Sequence, residues 1–205
     1  MKTQLHRIAA TFAFAAVCTA AAAFGFRALL NHEHTPGADG AVPAKWPSSQ
    51  LQVGNGRPSL VMLAHPRCPC TRASVGELAQ IMARVGDKVN AYVLFYTPED
   101  SDAGWRDSDV QRSASKIPGV TVVADVGGRE AQRFGAETSG HTLLFAADGS
   151  LLFNGGITLS RGHAGANAGE SAIVALVKNE KPARASTFVF GCSLATDQPL
   201  TASNF

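Results

Sequence analysis

The order of apolar runs predicts an α/β fold. It is a mixed, mostly parallel sheet between helical layers, with an antiparallel hairpin at one edge and a membrane-compatible helix in front. Three observations carry this. Between Ser59 and Asp125, short β-rich runs alternate with stretches of helical period, the pattern of parallel strands joined by crossovers. Ala147-Asp148-Gly149 then separates two apolar runs, which signals a tight hairpin. Ahead of all this, Ile8 to Phe26 is free of charge and is bounded by Arg7 and Arg27.

The elements follow in order. Nineteen apolar or small residues from Ile8 to Phe26 suffice for a spanning helix. The same run fits a secretory signal with Ala21-Ala22-Ala23 as a cleavage site. Phe24, Phe26, Leu29 and Leu30 extend the apolar character past that cut, which favours an uncleaved signal-anchor over residues 1–27. Lys2 and Arg7 keep the N-terminus inside, so either form places the remainder outside the cytoplasm. That is a single-pass membrane protein with a periplasmic or otherwise extracytoplasmic domain, or a secreted one. Cys18 reads as apolar filler, because Val17 is too bulky for a lipid-attachment motif. Residues 28–50, rich in Gly, Pro, Ser and Ala, read as a flexible linker in which His32 and His34 are solvated.

Within residues 51–180, Ser59–Ala64 suits a buried central strand. Val75, Leu78, Ile81, Met82 and Val85 recur at helical spacing over 73–85. Strands follow over 89–96 and 120–125, with a polar loop over 97–108 and a short helix up to Ile117 between them. Trp105, in that loop, reads as a core anchor in preference to a lid over the active site. A short helix around 129–134 precedes the hairpin strands 141–146 and 150–154. Asn167 caps a last helix with Glu170 in the third position, and residues 181–205 form a tail carrying Cys192.

Composition limits the function. With 205 residues, 45% hydrophobic and 17% charged, the chain builds one ordinary core plus appendages. A net charge of +2 without basic stretches between aromatics excludes a nucleic-acid partner by composition. Four cysteines are too few for a disulfide scaffold, so a disulfide here is local or catalytic. The glycine-rich loop 160–169 opens a helix and suits an anion, but it lacks the Lys-Ser/Thr of a nucleotide loop. No cofactor is implied.

The strand–Cys68-Pro69-Cys70–helix unit and the segment Gly135 to Gly155, with His141-Thr-Leu-Leu-Phe followed by Asp-Gly, resemble the thioredoxin-fold superfamily. The likeness is to its membrane-anchored, extracytoplasmic redoxin-like members, and it covers roughly Leu51 to Asn179. It implies a three-layer α/β/α sandwich and a thiol–disulfide oxidoreductase acting on protein thiols or disulfides, or on a dedicated redox partner. Two departures stand out. One residue separates the cysteines instead of two, and His141 falls where the family carries a cis-proline. A non-proline cis bond costs about 2.5–4 kcal/mol, so His141 is expected trans.

Cys68 and Cys70 are the expected catalytic pair. By the resemblance Cys68 is the exposed nucleophile at the helix start and Cys70 the resolving thiol. Pro69 suits the first helical turn, and His65, Arg67 and Arg72 are expected to depress the Cys68 pKa. His141 and His163 are expected near the thiols. Cys192 leaves the domain with an odd count, consistent with a third relay thiol, a bond to a partner protein, or a buried structural cysteine. The alternative is a copper- or zinc-binding module or metallochaperone, with Cys68, Cys70 and two of His65, His141 and His163 as ligands. A thiol peroxidase fits less well, because Pro66, Thr71 and Arg72 lack the spacing of a peroxidatic site.

Overall fold

A computed structural model describes residues 2–54, 56–101, 105 and 107–194. Of the C-terminal tail, 195–205 lie outside the described residues, as do 102–104 and 106 of the polar loop. The chain divides into two units, one ending at Thr35 and one beginning at Pro36. The first is a single helix, α1 (Lys2–His34), and its segment His6–His34 is long and apolar enough to cross a membrane.

The second unit runs β1 (Ser59–Ala64), α2 (Pro69–Val85), β2 (Asn90–Thr97), α3 (Asp109–Ser115) and β3 (Val120–Val126). It continues through α4 (Arg129–Arg133), β4 (His141–Phe145), β5 (Leu151–Gly155) and α5 (Ala168–Val177). The five strands lie in the order β3-β2-β1-β4-β5. β1 pairs in parallel with β2 and antiparallel with β4, and the hairpin β4–β5 closes the sheet. This mixed sheet between helical layers is the thioredoxin-like α/β/α sandwich. β1 lies at its centre because all six of its residues are apolar or small and all are buried.

Alternation along β1 divides the core. Leu60, Met62 and Ala64 meet Leu78, Ile81 and Ile173 from α2 and α5 on one face. Val61 and Leu63 meet Phe134, Leu143 and Phe145 on the other. α2 begins at Pro69, four residues earlier than periodicity suggests, because proline in the first turn needs no N–H partner. Asn167 caps α5, its side chain accepting the Glu170 N–H at 2.8 Å.

Two segments depart from the sequence expectation. Residues 36–52 lie along the domain instead of forming a loose tether. Trp46 stands edge-on to Phe134 and Phe145 with ring centroids 5.2 Å away in each case. Its N–H donates to the Gly149 carbonyl at 2.7 Å, and Leu151 N–H donates to the Ala44 carbonyl at 3.0 Å. One large aromatic ring outweighs the polar, glycine-rich composition around it. Trp105 stands outside the sheet core, its ring under the Arg67 guanidinium at 3.8 Å and edge-on to His65 at 5.6 Å. The loop finds its aromatic anchor at the cysteine turn because Arg67 offers a cationic partner there.

Candidate functional site

The chain leaves β1 at Ala64 and turns through His65-Pro66-Arg67 so that Cys68 becomes the N-cap of α2. The turn is held by hydrogen bonds. Cys68 N–H donates to the His65 carbonyl at 3.1 Å, and Thr71 Oγ1 donates to the same carbonyl at 2.9 Å. His65 N–H donates to Ser139 Oγ at 2.8 Å, and Ser139 Oγ also shares a hydrogen bond with Thr71 Oγ1 at 2.9 Å. These bonds tie the cysteine turn to residues 137–140, the approach to β4.

The tail reaches the same place. After α5 the backbone crosses β5, with Asn154 N–H donating to the Ala185 carbonyl at 3.1 Å. Gly37 N–H then donates to the Val189 carbonyl at 2.8 Å. Residues 192–194 run antiparallel to 137–139. Ser139 N–H donates to the Cys192 carbonyl at 2.8 Å and Leu194 N–H to the Glu137 carbonyl at 2.9 Å, around a Thr138–Ser193 bridge. The result is a thiol–thiol contact: Cys68 Sγ and Cys192 Sγ share a hydrogen bond at 2.8 Å, and Cys192 N–H approaches Cys68 Sγ at 3.4 Å. Cys68, Cys70 and Cys192 are free thiols.

The electrostatics follow from this cluster. The Cys68 thiol is held far below its ordinary value, first by the Cys192 hydrogen bond and then by that of Cys70, against the opposing effect of burial. The Cys192 thiol is pushed up by the Cys68 and Cys70 thiols and by burial. Cys70 is pulled down by Cys192, but its bond to Cys68, burial and the Cys68 charge outweigh that pull and leave it raised. The directions of the three shifts favour a thiolate at Cys68 over one at Cys70 or Cys192. Position at the start of α2 favours the same assignment.

The flanking residues distribute differently from the expectation. Arg72 is ion-paired with Asp109 at the surface, and Arg67 lies over Trp105, so neither appears among the groups that lower Cys68. His65 is buried, stacked on Tyr96 at 5.5 Å, with Nδ1 accepting the Arg67 N–H at 3.2 Å. His141, in trans, bonds Asn154 Oδ1 through Nε2 at 2.6 Å, and burial lowers its pKa. His163 Nδ1 meets Ser160 Oγ and the Arg161 carbonyl, each at 2.9 Å. Each histidine of the metal alternative thus has one ring nitrogen engaged away from the thiols, and among the described residues no group of three His, Cys, Asp or Glu is arranged to hold a metal ion. Cys68 itself is only 5% exposed, in contrast to the exposed nucleophile expected, because the tail covers it. A cleft of about 160 Å³ lined by Pro66, Arg67, Pro69, Arg72 and Asp109 opens beside it.

Arg161 is the residue that sequence reading passed over. Its Nη1 donates to the Gly191 carbonyl at 2.5 Å, and its charge lowers Cys70. The loop that carries it is braced by buried Glu77 of α2, whose carboxylate accepts Gly165 N–H at 2.7 Å and Asn167 Nδ2 at 3.2 Å. The available signal was a glutamate on the apolar face of α2, which asks for donors from a neighbouring element.

No protein-family model matches the chain, and no curated protein matches it in sequence. Solved structures do share its fold. A hypothetical protein from Sinorhizobium meliloti aligns at a TM-score of 0.58 with 15% identity, over 77% of this chain and 97% of the other. An uncharacterized conserved protein from Geobacillus kaustophilus aligns at 0.58 with 14% identity, over 80% and 94%. A secreted disulfide oxidoreductase of Mycobacterium tuberculosis overlaps more weakly, at 0.38 with 23% identity, over 47% and 66%. The first two likenesses, at 0.58, show the fold; the chemistry rests on the thiols themselves.

Proposed function

We propose that this chain is an extracytoplasmic thiol–disulfide oxidoreductase, anchored by α1 and acting on protein thiols or disulfides or on a dedicated redox partner. The observation that carries the reading is the Cys68–Cys192 contact at 2.8 Å, at the start of a helix, with the Cys70 thiol close enough to lower the Cys68 pKa as well. Three thiols gathered at a helix start, with Cys68 the one whose pKa is depressed, are a poor structural filler and a good source of a nucleophile. Cys68 thiolate attacks one sulfur of a partner disulfide. The S–S bond breaks, the second partner sulfur leaves with the electron pair, and a mixed disulfide to Cys68 remains. Cys70, on losing its proton, attacks Cys68 Sγ and expels the first partner sulfur as a thiolate. Two electrons and the Cys70 proton leave the domain, the partner dithiol takes its second proton from solvent, and the reverse sequence oxidises a dithiol. Cys192 is a third relay thiol, able to discharge the mixed disulfide in place of Cys70.

The test is a trapping experiment with the full-length chain in its membrane. Cys70→Ser combined with Cys192→Ser, which removes both resolving thiols, is expected to accumulate mixed disulfides with partner proteins, visible as reductant-sensitive high-mass bands, and Cys68→Ser none. Equal trapping by Cys68→Ser would move the nucleophile elsewhere. Stoichiometric copper or zinc on a chain that never forms a disulfide at Cys68 would replace this reading with the metal module.

A further inference from the structure

Cys68 is buried under the chain's own tail, and the manner of covering points to what belongs there in turnover. The contact between 192–194 and 137–139 is made through backbone groups, with Ser139 N–H and the Glu137 carbonyl serving the tail. Such bonds serve any extended segment, whatever its sequence. The tail places a cysteine sulfur 2.8 Å from Cys68 Sγ, where the cysteine of a mixed disulfide has to approach. We propose that the tail strand Gly191–Leu194 is an internal stand-in for substrate: the groove along 137–139 receives an extended polypeptide whose cysteine takes the position of Cys192, and the tail end must leave for it to enter. This rests on the oxidoreductase reading and adds its substrate class and its gate.

The tail is built for partial release. Its upstream part is held to the body by the Asn154–Ser186 bridge, by Gly37 and by Val189, which is 1% exposed. The downstream end is held by the two backbone bonds to 137–139, by Arg161 and by the Leu194 side chain. A hinge at 190–191 therefore frees Cys192 without unfolding the domain.

The groove also specifies a residue. A Cβ at Gly191 would stand 1.9 Å from the Ser139 carbonyl oxygen, a backbone atom that cannot give way. A polypeptide in the same register needs glycine immediately before its cysteine. Beyond the cysteine, a cavity of about 540 Å³ lined by Tyr96, Gly127, Gly128, Ala131, Glu137 and Leu194 lies in the path of the strand, room for one large side chain.

The test uses the reduced full-length chain in detergent and two probes. One is the heptapeptide Phe-Val-Phe-Gly-Cys-Ser-Leu with its thiol capped as a disulfide of thionitrobenzoate. The other is 2-mercaptoethanol capped in the same way. Release of the coloured thiolate above that given by the Cys68→Ser chain reports the attack by Cys68, and the peptide-to-small-probe ratio cancels any change in thiolate fraction. Gly191→Ala should dislodge the tail and raise that ratio about tenfold, with Leu194→Ser moving it the same way. Replacing glycine by valine in the peptide should lower the ratio about tenfold on the Gly191→Ala chain. A ratio unchanged in both chain variants, or indifference to the peptide's glycine, overturns the proposal. If Cys68→Ser reacts as fast as the unaltered chain, the oxidoreductase reading itself fails.

Discussion

The two sides of the thiol contact are made in opposite ways. Cys68 is placed locally: a buried strand, a turn closed by the His65 carbonyl and a helix started by Pro69 put its sulfur at a helix N-terminus within ten residues of β1. Cys192 lies in backbone without regular structure, 124 residues away in sequence, and is placed by bonds to β5, to residues 137–139 and to Arg161. The first side persists wherever the strand–helix unit folds. The second exists only when the whole domain has closed around it, so it is the side that can be opened without loss of the fold.

Substitution separates the two sides most sharply. Cys68→Ser is expected to abolish disulfide exchange to background, because neither Cys70 nor Cys192 carries the thiolate. Cys192→Ser leaves the nucleophile but weakens the bond that most lowers its pKa, so Cys68 titrates closer to its ordinary value. Its alkylation by iodoacetamide at about pH 5 should then fall by about tenfold or more, each pKa unit being worth about tenfold in thiolate. The same rate at pH 5 in both proteins would show that the tail does not tune Cys68.

An intermediate effect is expected where the tail side is braced. Glu77→Gln replaces a buried carboxylate that accepts two hydrogen bonds with an amide that cannot accept both. The expected cost is about 1–3 kcal/mol, read as a lower unfolding midpoint in denaturant. Faster hydrogen exchange should follow at Gly165 and across 191–194, with β1 unaffected. Exchange raised equally in β1 and the tail would erase the distinction between the two sides.

The smallest effect is on stability against pH in the reduced protein. Cys68 is depressed below the ordinary thiol value of 9.0, so its stabilisation is complete above that value and is lost as pH falls towards the folded-state pKa. Cys192 and Cys70 are raised, so theirs is complete below that value and is lost as pH rises through their folded-state pKa values. The thiols therefore favour folding most near pH 9, and under reductant the melting temperature should decline on both sides. Cys192→Ser should flatten both limbs. Because burial depresses His141, its contribution is lost as pH falls below 6.5, which adds to the acid limb in both proteins.

Much of this architecture is readable from the chain alone. β1 begins and ends where the apolar run does, at Ser59 and Ala64. The hairpin turns at Asp148-Gly149, and Asn167 caps α5. Period, cap and turn are local properties, and a short window of residues encodes each of them. Position relative to other elements is not local. Nothing around Trp46 marks it as an aromatic anchor between Phe134 and Phe145, and nothing around Arg161 aims it at Gly191. The odd cysteine count marks Cys192, but nothing around Gly191-Cys192 says which thiol it meets. The amino-acid order determined a cysteine at a helix start. Tertiary structure alone decided which thiol meets it and how it is covered, because backbone pairing between 192–194 and 137–139 carries no sequence signature and forms only once β4 stands beside β1.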